Sequence, residues 1–325
     1  NVQLMKMLIT GAAGFIGFNL SKYLLGVKKI KIFGIDNLNN YYSKSLKLSR
    51  IKELKKFKNF NFKKIDITNR QALDKYLKKK KISLIINLAA QAGVRYSFIK
   101  PSEFVDNNIL GFYNVVKAAK NNNINKIIYA SSSSVYGDSL FFPLKETQII
   151  NPKNIYGLSK KVNEEMAEVF SKQFGMTFIG LRFFTVYGEW GRPDMFMMKY
   201  LNSTYNLSKK FYLNNFGKHT RDFTYIGDVC QIIKKIIFLK DKQSQNEIFN
   251  ICSNRPINLL KIIKQINKLT CKSPTTYKRP LQKADVIKTH GSNKKILDKI
   301  GKRRFTSIKD GLMNTLIWFK KYYNF

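Results

Sequence analysis

Between residues 6 and 25 a short apolar run breaks into three spaced glycines and then into an amphipathic stretch, an order that few folds accommodate. Lys6 to Thr10 reads as a first strand. Gly11-Ala12-Ala13-Gly14-Phe15-Ile16-Gly17 follows, and a helix is expected over 15–25. The glycines permit a tight turn, the approach of a pyrophosphate to backbone N–H groups, and close helix–strand packing. The G-x-x-G-x-x-G spacing is one residue longer at the front than the usual dinucleotide fingerprint. Strand, loop and helix nevertheless come in the required order, against the plainer reading of a glycine turn. Asp36 ends the expected second strand, 19 residues after Gly17. A carboxylate there accepts hydrogen bonds from an adenosine ribose and repels a 2′-phosphate, which favours NAD over NADP. The plainer alternative for Asp36 is a turn residue before Asn37.

Beyond this unit, apolar β-branched runs alternate with longer amphipathic segments. That is the sequence form of a parallel sheet with crossover helices. Strands are expected at 6–10, 30–35, 60–65, 82–88, 125–131, 177–184 and 247–251, and helices at 15–25, 44–57, 69–80, 102–121, 154–174 and 228–239. Pro101 suits the first turn of the fourth helix. The stretch 185–226, with Gly188, Gly191, Pro193 and clustered aromatics, breaks the rhythm, and the tail 252–325 is mixed. The expected division is therefore a sheet domain over 1–184 and 227–251, with 185–226 and 252–325 forming a second, smaller lobe. Asp66-Ile67 after the third strand could flank an adenine, and the small Ala89-Ala90-Gln91 after the fourth lets a cofactor cross the strand ends.

With 325 residues, 44% of them hydrophobic, the chain can build a full core, and no apolar stretch reaches the roughly 18 residues a membrane span needs. The opening Met5–Thr10 run reads as a strand and not a signal peptide, and Met5 or Met7 is the expected start. Three separated cysteines (Cys230, Cys252, Cys271) and two histidines (His219, His290) offer no metal or disulfide spacing, so no metal is expected and a reducing cytoplasm fits. The net charge of +39 raises the question of nucleic acid, most acutely between Lys44 and Lys81, where thirteen lysines face only Glu53, Asp66 and Asp74. Yet the bases are spread along the chain, mostly lysine, and accompanied by heavy use of Asn and Ile. Codon drift in an AT-rich genome produces that combination, and no nucleic-acid-binding signature goes with it.

Tyr156-Gly157-Leu158-Ser159-Lys160 lies in the fifth expected helix, downstream of a serine run at 131–134. Residues four apart share a helix face, and an ammonium beside a phenol favours the phenolate. A phenolate near neutral pH can take a proton from a sugar or alcohol hydroxyl. The spacing alone also fits an ordinary surface helix pair.

Together these residues resemble the extended short-chain dehydrogenase/reductase superfamily over essentially the whole chain, with a Rossmann-type parallel sheet and a smaller C-terminal substrate-binding lobe implied. Asn87-Leu88-Ala89-Ala90-Gln91-Ala92-Gly93-Val94-Arg95-Tyr96-Ser97, Ala130–Gly137 and Leu181–Gly188 look like UDP-glucuronate 4-epimerases, as do Trp190–Met195 and Arg221–Tyr225. The resemblance implies Tyr156 as base, Lys160 as the group that lowers its pKa and holds the nicotinamide ribose, and Ser132 as hydrogen-bond partner of the sugar hydroxyl. It assigns Gly11, Gly14, Phe15, Ile16, Gly17, Asp36, Asn37, Asp66, Ile67, Ala89, Ala90, Gln91, Asn107, Ser131 and Phe184 to NAD. Arg221 would grip the UDP diphosphate, and Ser133 and Asp285 would also touch substrate, Asp285 lying in Gln282–Val286 where the nucleotide is closed over.

The implied reaction passes the C4 hydroxyl proton to Tyr156 and the C4 hydride to NAD, turns the flat 4-keto sugar, and returns the hydride to its other face. A glucuronate's 4-keto form is a β-keto acid, so its carboxylate must be held out of alignment with the carbonyl to keep carbon dioxide; Thr185 and Arg192 are the expected clamp, with Arg95 a weaker candidate. Dehydratases of the superfamily carry an Asp-Glu pair where this chain has Ser133 and Ser134, so dehydration is disfavoured. Decarboxylation of UDP-glucuronate and 4-epimerisation of UDP-glucose or UDP-N-acetylglucosamine remain open, and a non-catalytic nucleotide- or nucleic-acid-binding protein is a distant alternative. The helices 102–121 and 154–174 are those that pair two subunits in this superfamily, so a homodimer is expected.

Overall fold

The computed structural model describes residues 4–78, 80–206, 208–239 and 246–325. In chain order its first half runs β1 (Met5–Thr10), α1 (Phe15–Leu25), β2 (Ile30–Asp36), α2 (Lys44–Lys55), β3 (Phe60–Lys64), α3 (Arg70–Leu77), β4 (Leu84–Asn87), α4 (Ser102–Phe104), α5 (Gly111–Asn121) and β5 (Lys126–Ser132). Next come α6 (Ile155–Phe174), β6 (Thr177–Phe183), β7 (Thr185–Tyr187), α7 (Phe196–Tyr205), β8 (Phe211–Asn214), β9 (Thr220–Tyr225), α8 (Ile226–Ile237) and β10 (Asn246–Ile251). The chain closes with β11 (Pro256–Asn258), α9 (Leu259–Thr270), β12 (Thr276–Arg279), α10 (Lys294–Ile300) and α11 (Ile308–Tyr323).

Seven parallel strands form the main sheet in the order β10-β6-β5-β4-β1-β2-β3. Parallel strands need helices on both faces, and both faces are covered. Phe18 and Leu24 of α1, Ile51 and Leu54 of α2, and Ile232 and Ile236 of α8 bury one side. Leu73 of α3, Phe112 and Val116 of α5, and Ala167 of α6 bury the other. The chain direction across the sheet reverses between β1 and β4, and such a switch point opens a crevice at the strands' carboxyl ends. Thr10 stitches the two strands there: its hydroxyl donates to Asn87 Oδ1 at 2.5 Å and accepts from Leu88 and Ala89 N–H at 3.1 and 3.0 Å.

Two small sheets, β11-β9-β7 and β12-β8, lie outside the main one. With α7, α9 and α11 they enclose a separate apolar core that includes Tyr200, Phe211, Phe223, Ile262 and Phe319. The expected helix 69–80 is helical over Arg70–Leu77, and its residue 79 lies outside the described residues.

The expected continuous helix 102–121 departs most from its pattern. Ser102–Phe104 and Gly111–Asn121 are α-helical, but Val105–Leu110 widens into π-helix. The wide turn swings Asn108 inward, where its amide exchanges hydrogen bonds with the backbone of Gln91 (2.7 and 3.1 Å) and donates to Ser159 Oγ at 2.9 Å. Such single wide turns recur at functional sites because they re-aim a side chain without ending the helix.

Candidate active site

The glycine loop is tight for reasons the backbone makes plain. Gly11 sits at φ +68°, and a Cβ there would fall 2.8 Å from Ala89 N. A Cβ on Gly17 would fall 2.2 Å from the Gly11 carbonyl, so α1 could not start so close to β1 with any other residue. Asp36, at the end of β2, accepts from Ala13 N–H at 3.1 Å and Leu38 N–H at 2.8 Å, so it holds the loop while facing the crevice. Burial raises its carboxyl pKa, against hydrogen bonds from Leu38 and Ala13 and the charges of Lys47 and Arg50.

A cavity lies along the switch point. Of the sequence-derived residues, Gly11, Gly14, Phe15, Ile16, Gly17, Asp36, Asn37, Ile67, Ala89, Ala90, Gln91, Asn107, Ser131, Ser132, Tyr156, Lys160, Phe184 and Arg192 line it. Its shape and wall suit a dinucleotide: tight glycines at one end, a ribose-facing carboxylate, and small alanines between. Asp66 stands behind the wall, its carboxylate taken by Asn37 Nδ2 (2.9 Å) and Thr68.

Tyr156 and Lys160 project from the first turns of α6, which Asn154 caps by accepting from Gly157 N–H at 2.9 Å. Phe104 meets the Tyr156 ring edge-on, with centroids 6.1 Å apart. Burial pushes the phenol pKa up; the Ser132 hydroxyl and the Arg192 charge pull it down. The spacing had suggested Lys160 for the downward pull, and Ser132 and Arg192 act in the same direction. Burial lowers the Lys160 pKa to about 8, with Glu164 opposing. Ser132 Oγ also donates to Ser134 Oγ and accepts from Ser134 N–H, both at 3.1 Å, and Ser133 opens the short turn Ser133–Tyr136. No carboxylate stands beside the reacting hydroxyl in that turn.

Five expected substrate contacts, Ser133 and the four that follow, lie off this lining. Thr185 begins β7 and lines a small adjoining cavity that Arg192 also reaches. Arg95 and Asp285, expected to touch substrate separately, pair with each other through Nε at 3.0 Å and Nη2 at 2.7 Å. The reason is geometric: loop 93–95 and the segment around 285 meet in the fold, and opposite charges there satisfy each other. Arg221 spends its guanidinium on the carbonyls of Thr220, Val286 and Ile287 at 3.0, 2.5 and 2.9 Å. Arg95, Arg221 and Asp285 therefore stand outside the main cavity wall and tie down the segment that flanks it. Arg192 carries a bidentate ion pair with Asp194 at 3.0 and 2.5 Å, and Tyr41 donates to the same carboxylate at 3.0 Å.

Three functional positions escaped the sequence reading. Asn108 sits on the π-helical turn, one residue beyond the expected Asn107, which lines the cavity and donates to Glu103 O at 2.8 Å. Arg50 of α2 is fully buried and donates to Ala13 O (2.8 Å), Tyr42 Oη (2.7 Å) and the Trp190 carbonyl, joining the glycine loop to the turn that carries Arg192. An arginine at the core-facing spacing of Leu46, Ile51 and Leu54 was the available signal. Glu164, one turn past Lys160, is buried against Arg182 of β6, and a charge inside the apolar run Gly180–Phe183 was the clue there.

Among the described residues no cluster of His, Cys, Asp or Glu could hold a metal ion, and no helix is long and apolar enough to cross a membrane. The three cysteines are free, Cys230 and Cys252 buried and Cys271 exposed.

The chain is 41% identical over 316 residues to an uncharacterised protein of Methanocaldococcus jannaschii, covering 97% of this chain and 96% of that one. It is 36% identical over 316 residues to a UDP-glucuronate 4-epimerase of Thermodesulfobacterium geofontis, with 97% and 96% covered. Its fold superposes on a crystal structure of UDP-glucuronic acid 4-epimerase from Bacillus cereus, solved with UDP-glucuronic acid and NAD, at TM-score 0.92 and 32% identity, covering 98% of this chain and all of that one. Residues 7–252, the sheet with its glycine loop, Tyr156 and Lys160, match the NAD dependent epimerase/dehydratase family, and the chain belongs to that family.

Proposed function

We propose that the protein is an NAD-dependent isomerase that interconverts UDP-glucuronate and UDP-galacturonate by 4-epimerisation. The observation that carries this reading is the single cavity lining that brings Tyr156, Lys160 and Ser132 together with the glycine loop and Arg192. Likeness to UDP-glucuronate 4-epimerases over nearly the full chain supports the substrate class.

The residues divide the work. The glycine loop and Asp36 bind the dinucleotide, with its pyrophosphate at the N-terminus of α1. Bound there, NAD supplies a hydride acceptor for sugar C4, returns the hydride to the opposite face, and brings a positive ring to the centre. Tyr156 takes the C4 hydroxyl proton and later gives it back, and Ser132 keeps phenol and sugar hydroxyl in one hydrogen-bonded line. Arg192, with Thr185 beside it, holds the sugar carboxylate away from alignment with the C4 carbonyl, which suppresses loss of carbon dioxide. Arg95, Asp285 and Arg221 hold the 285–287 segment against the nucleotide. With serine at 133 and 134, no acid–base pair is at hand to drive out water.

In this reading the sheet domain comprises 1–184 and 227–251 and the remainder forms the sugar-nucleotide lobe. Two subunits pair through α5 and α6, where Leu158 and Val169 are 43% and 49% exposed on one face of α6. The enzyme works in the cytoplasm, making a precursor for polysaccharide. Incubation with UDP-glucuronate, followed by separation of nucleotide sugars by retention and mass, tests the assignment. A new peak of unchanged mass is expected. A lighter pentose nucleotide would make the enzyme a decarboxylase, and no conversion would overturn the proposal.

A further inference from the structure

We infer that Glu164 is a positioning residue for the reacting centre: locked to Arg182, its carboxylate fixes the end of β5 and supplies the counter-charge beside Lys160. The geometry is closed on every side. Arg182 grips Glu164 through Nε to Oε1 at 2.9 Å and Nη2 to Oε2 at 2.8 Å, with both side chains 4% exposed. The Ser131 hydroxyl donates to the same Oε1 at 2.5 Å, one residue before Ser132. Arg182 Nη1 donates on to Tyr136 Oη at 2.8 Å, and Tyr136 to Asn250 Oδ1 at 2.8 Å, which anchors the bridge to β10. The carboxylate thus bears on Ser132 through its neighbour Ser131 and stands off the cavity lining.

Its second effect is on charge. Tyr156, Lys160 and Glu164 follow one another at four-residue intervals on α6, and residues four apart are surface neighbours on a helix. Other titratable or charged groups around the centre include Tyr129 on β5, Tyr136 and Glu146 after it, Arg182 on β6, Arg192 after β7, and Glu168, which is exposed and paired to Lys172. Burial drives Lys160 down to about 8, and Glu164 is the charge that opposes it. A buried ion pair is a poor source of net stability, since desolvation consumes most of its attraction. Its place beneath the reacting residues is explained if it keeps Lys160 an ammonium at neutral pH.

The inference rests on the proposed role of Tyr156 and Lys160, and its test separates the two. In full-length protein labelled with 13C at lysine Cε, the Lys160 signal, identified by its loss in Lys160→Arg, is titrated in the parent and in Glu164→Gln. The midpoint is expected to fall by about one pH unit, and the alkaline limb of the kcat profile to fall with it. Glu164→Asp, which keeps the charge but withdraws it by one methylene, should fall less. A folded Glu164→Gln with an unmoved Lys160 midpoint would overturn the inference, as would failure of both variants to fold, which would assign the pair to stability alone. A parent inert on UDP-glucuronate would undo the substrate reading but not the titration, which needs no substrate.

Discussion

Replacing Arg192 with methionine separates the recognition of the sugar carboxylate from the upkeep of the site. Two carboxylates compete for this guanidinium: the one expected on the sugar, and Asp194, which already holds it at 3.0 and 2.5 Å. Methionine keeps much of the side-chain volume and removes the charge. Asp194 then retains only the Tyr41 hydroxyl, at 3.0 Å, with its side chain 27% exposed. Partial solvation limits that loss to about 1–2 kcal/mol, a factor of roughly 5–30 in kcat/KM that any UDP-hexose should suffer. A glucuronate loses its own partner as well, in a closed site, which costs about 2–5 kcal/mol or roughly 30- to several-thousand-fold. The assay compares kcat/KM for UDP-glucuronate and UDP-glucose in the parent, Arg192→Met, and Arg192→Met with Asp194→Asn. The second change removes the stranded carboxylate, so it should restore the neutral sugar and leave the glucuronate impaired by at least about tenfold. A pentose nucleotide should also appear, because a loosened carboxylate can align with the C4 carbonyl. If both sugars lose equally and both recover in the double variant, Arg192 serves only to hold Asp194 and Tyr41, and the carboxylate clamp is refuted.

Tyr156→Phe deletes only the ionisable oxygen and should reduce turnover by about 100- to 10,000-fold while circular dichroism stays unchanged; activity within tenfold of the parent would remove Tyr156 as base. Leu158→Glu with Val169→Glu puts like charges on the exposed face of α6, and light scattering should show the parent as a dimer and the variant as a monomer; a monomeric parent would dispose of the proposed pairing. His219 gives a pH prediction. Burial, helped by Arg221 and Arg95 and opposed by Asp285, lowers its pKa to about 4, against about 6.5 in an unfolded chain. Between those values the unfolded state binds a proton that the fold does not, so stability falls as pH drops through that window. His219→Gln should flatten the dependence, read as urea midpoints from pH 7 to 4; parallel curves for parent and variant would contradict it.

Local pattern determined the elements. Apolar period and glycine spacing act within a few residues, so α1 spans the expected 15–25 and each expected main-sheet strand matches an observed one to within two residues. The reach of Tyr156 and Lys160 to one face, and of the glycine loop to the crevice, is equally local and was legible for the same reason. Tertiary structure decided the charges. The spacing suggested Lys160 as the group that lowers the Tyr156 pKa; Ser132, 24 residues away, and Arg192 on another turn pull in the same direction, which no local pattern marks. Arg95 and Asp285 stand 190 residues apart and Arg50 and the Trp190 carbonyl 140, so nothing in either neighbourhood marks them as partners. The π-helical turn that brings Asn108 to Gln91 and Ser159 likewise follows from long-range demand, since the sequence 102–121 fits an unbroken α-helix. Periodicity reports which face of an element is apolar. Which buried charge meets which is fixed only when distant segments pack, because burial leaves an unpaired charge no solvent to turn to.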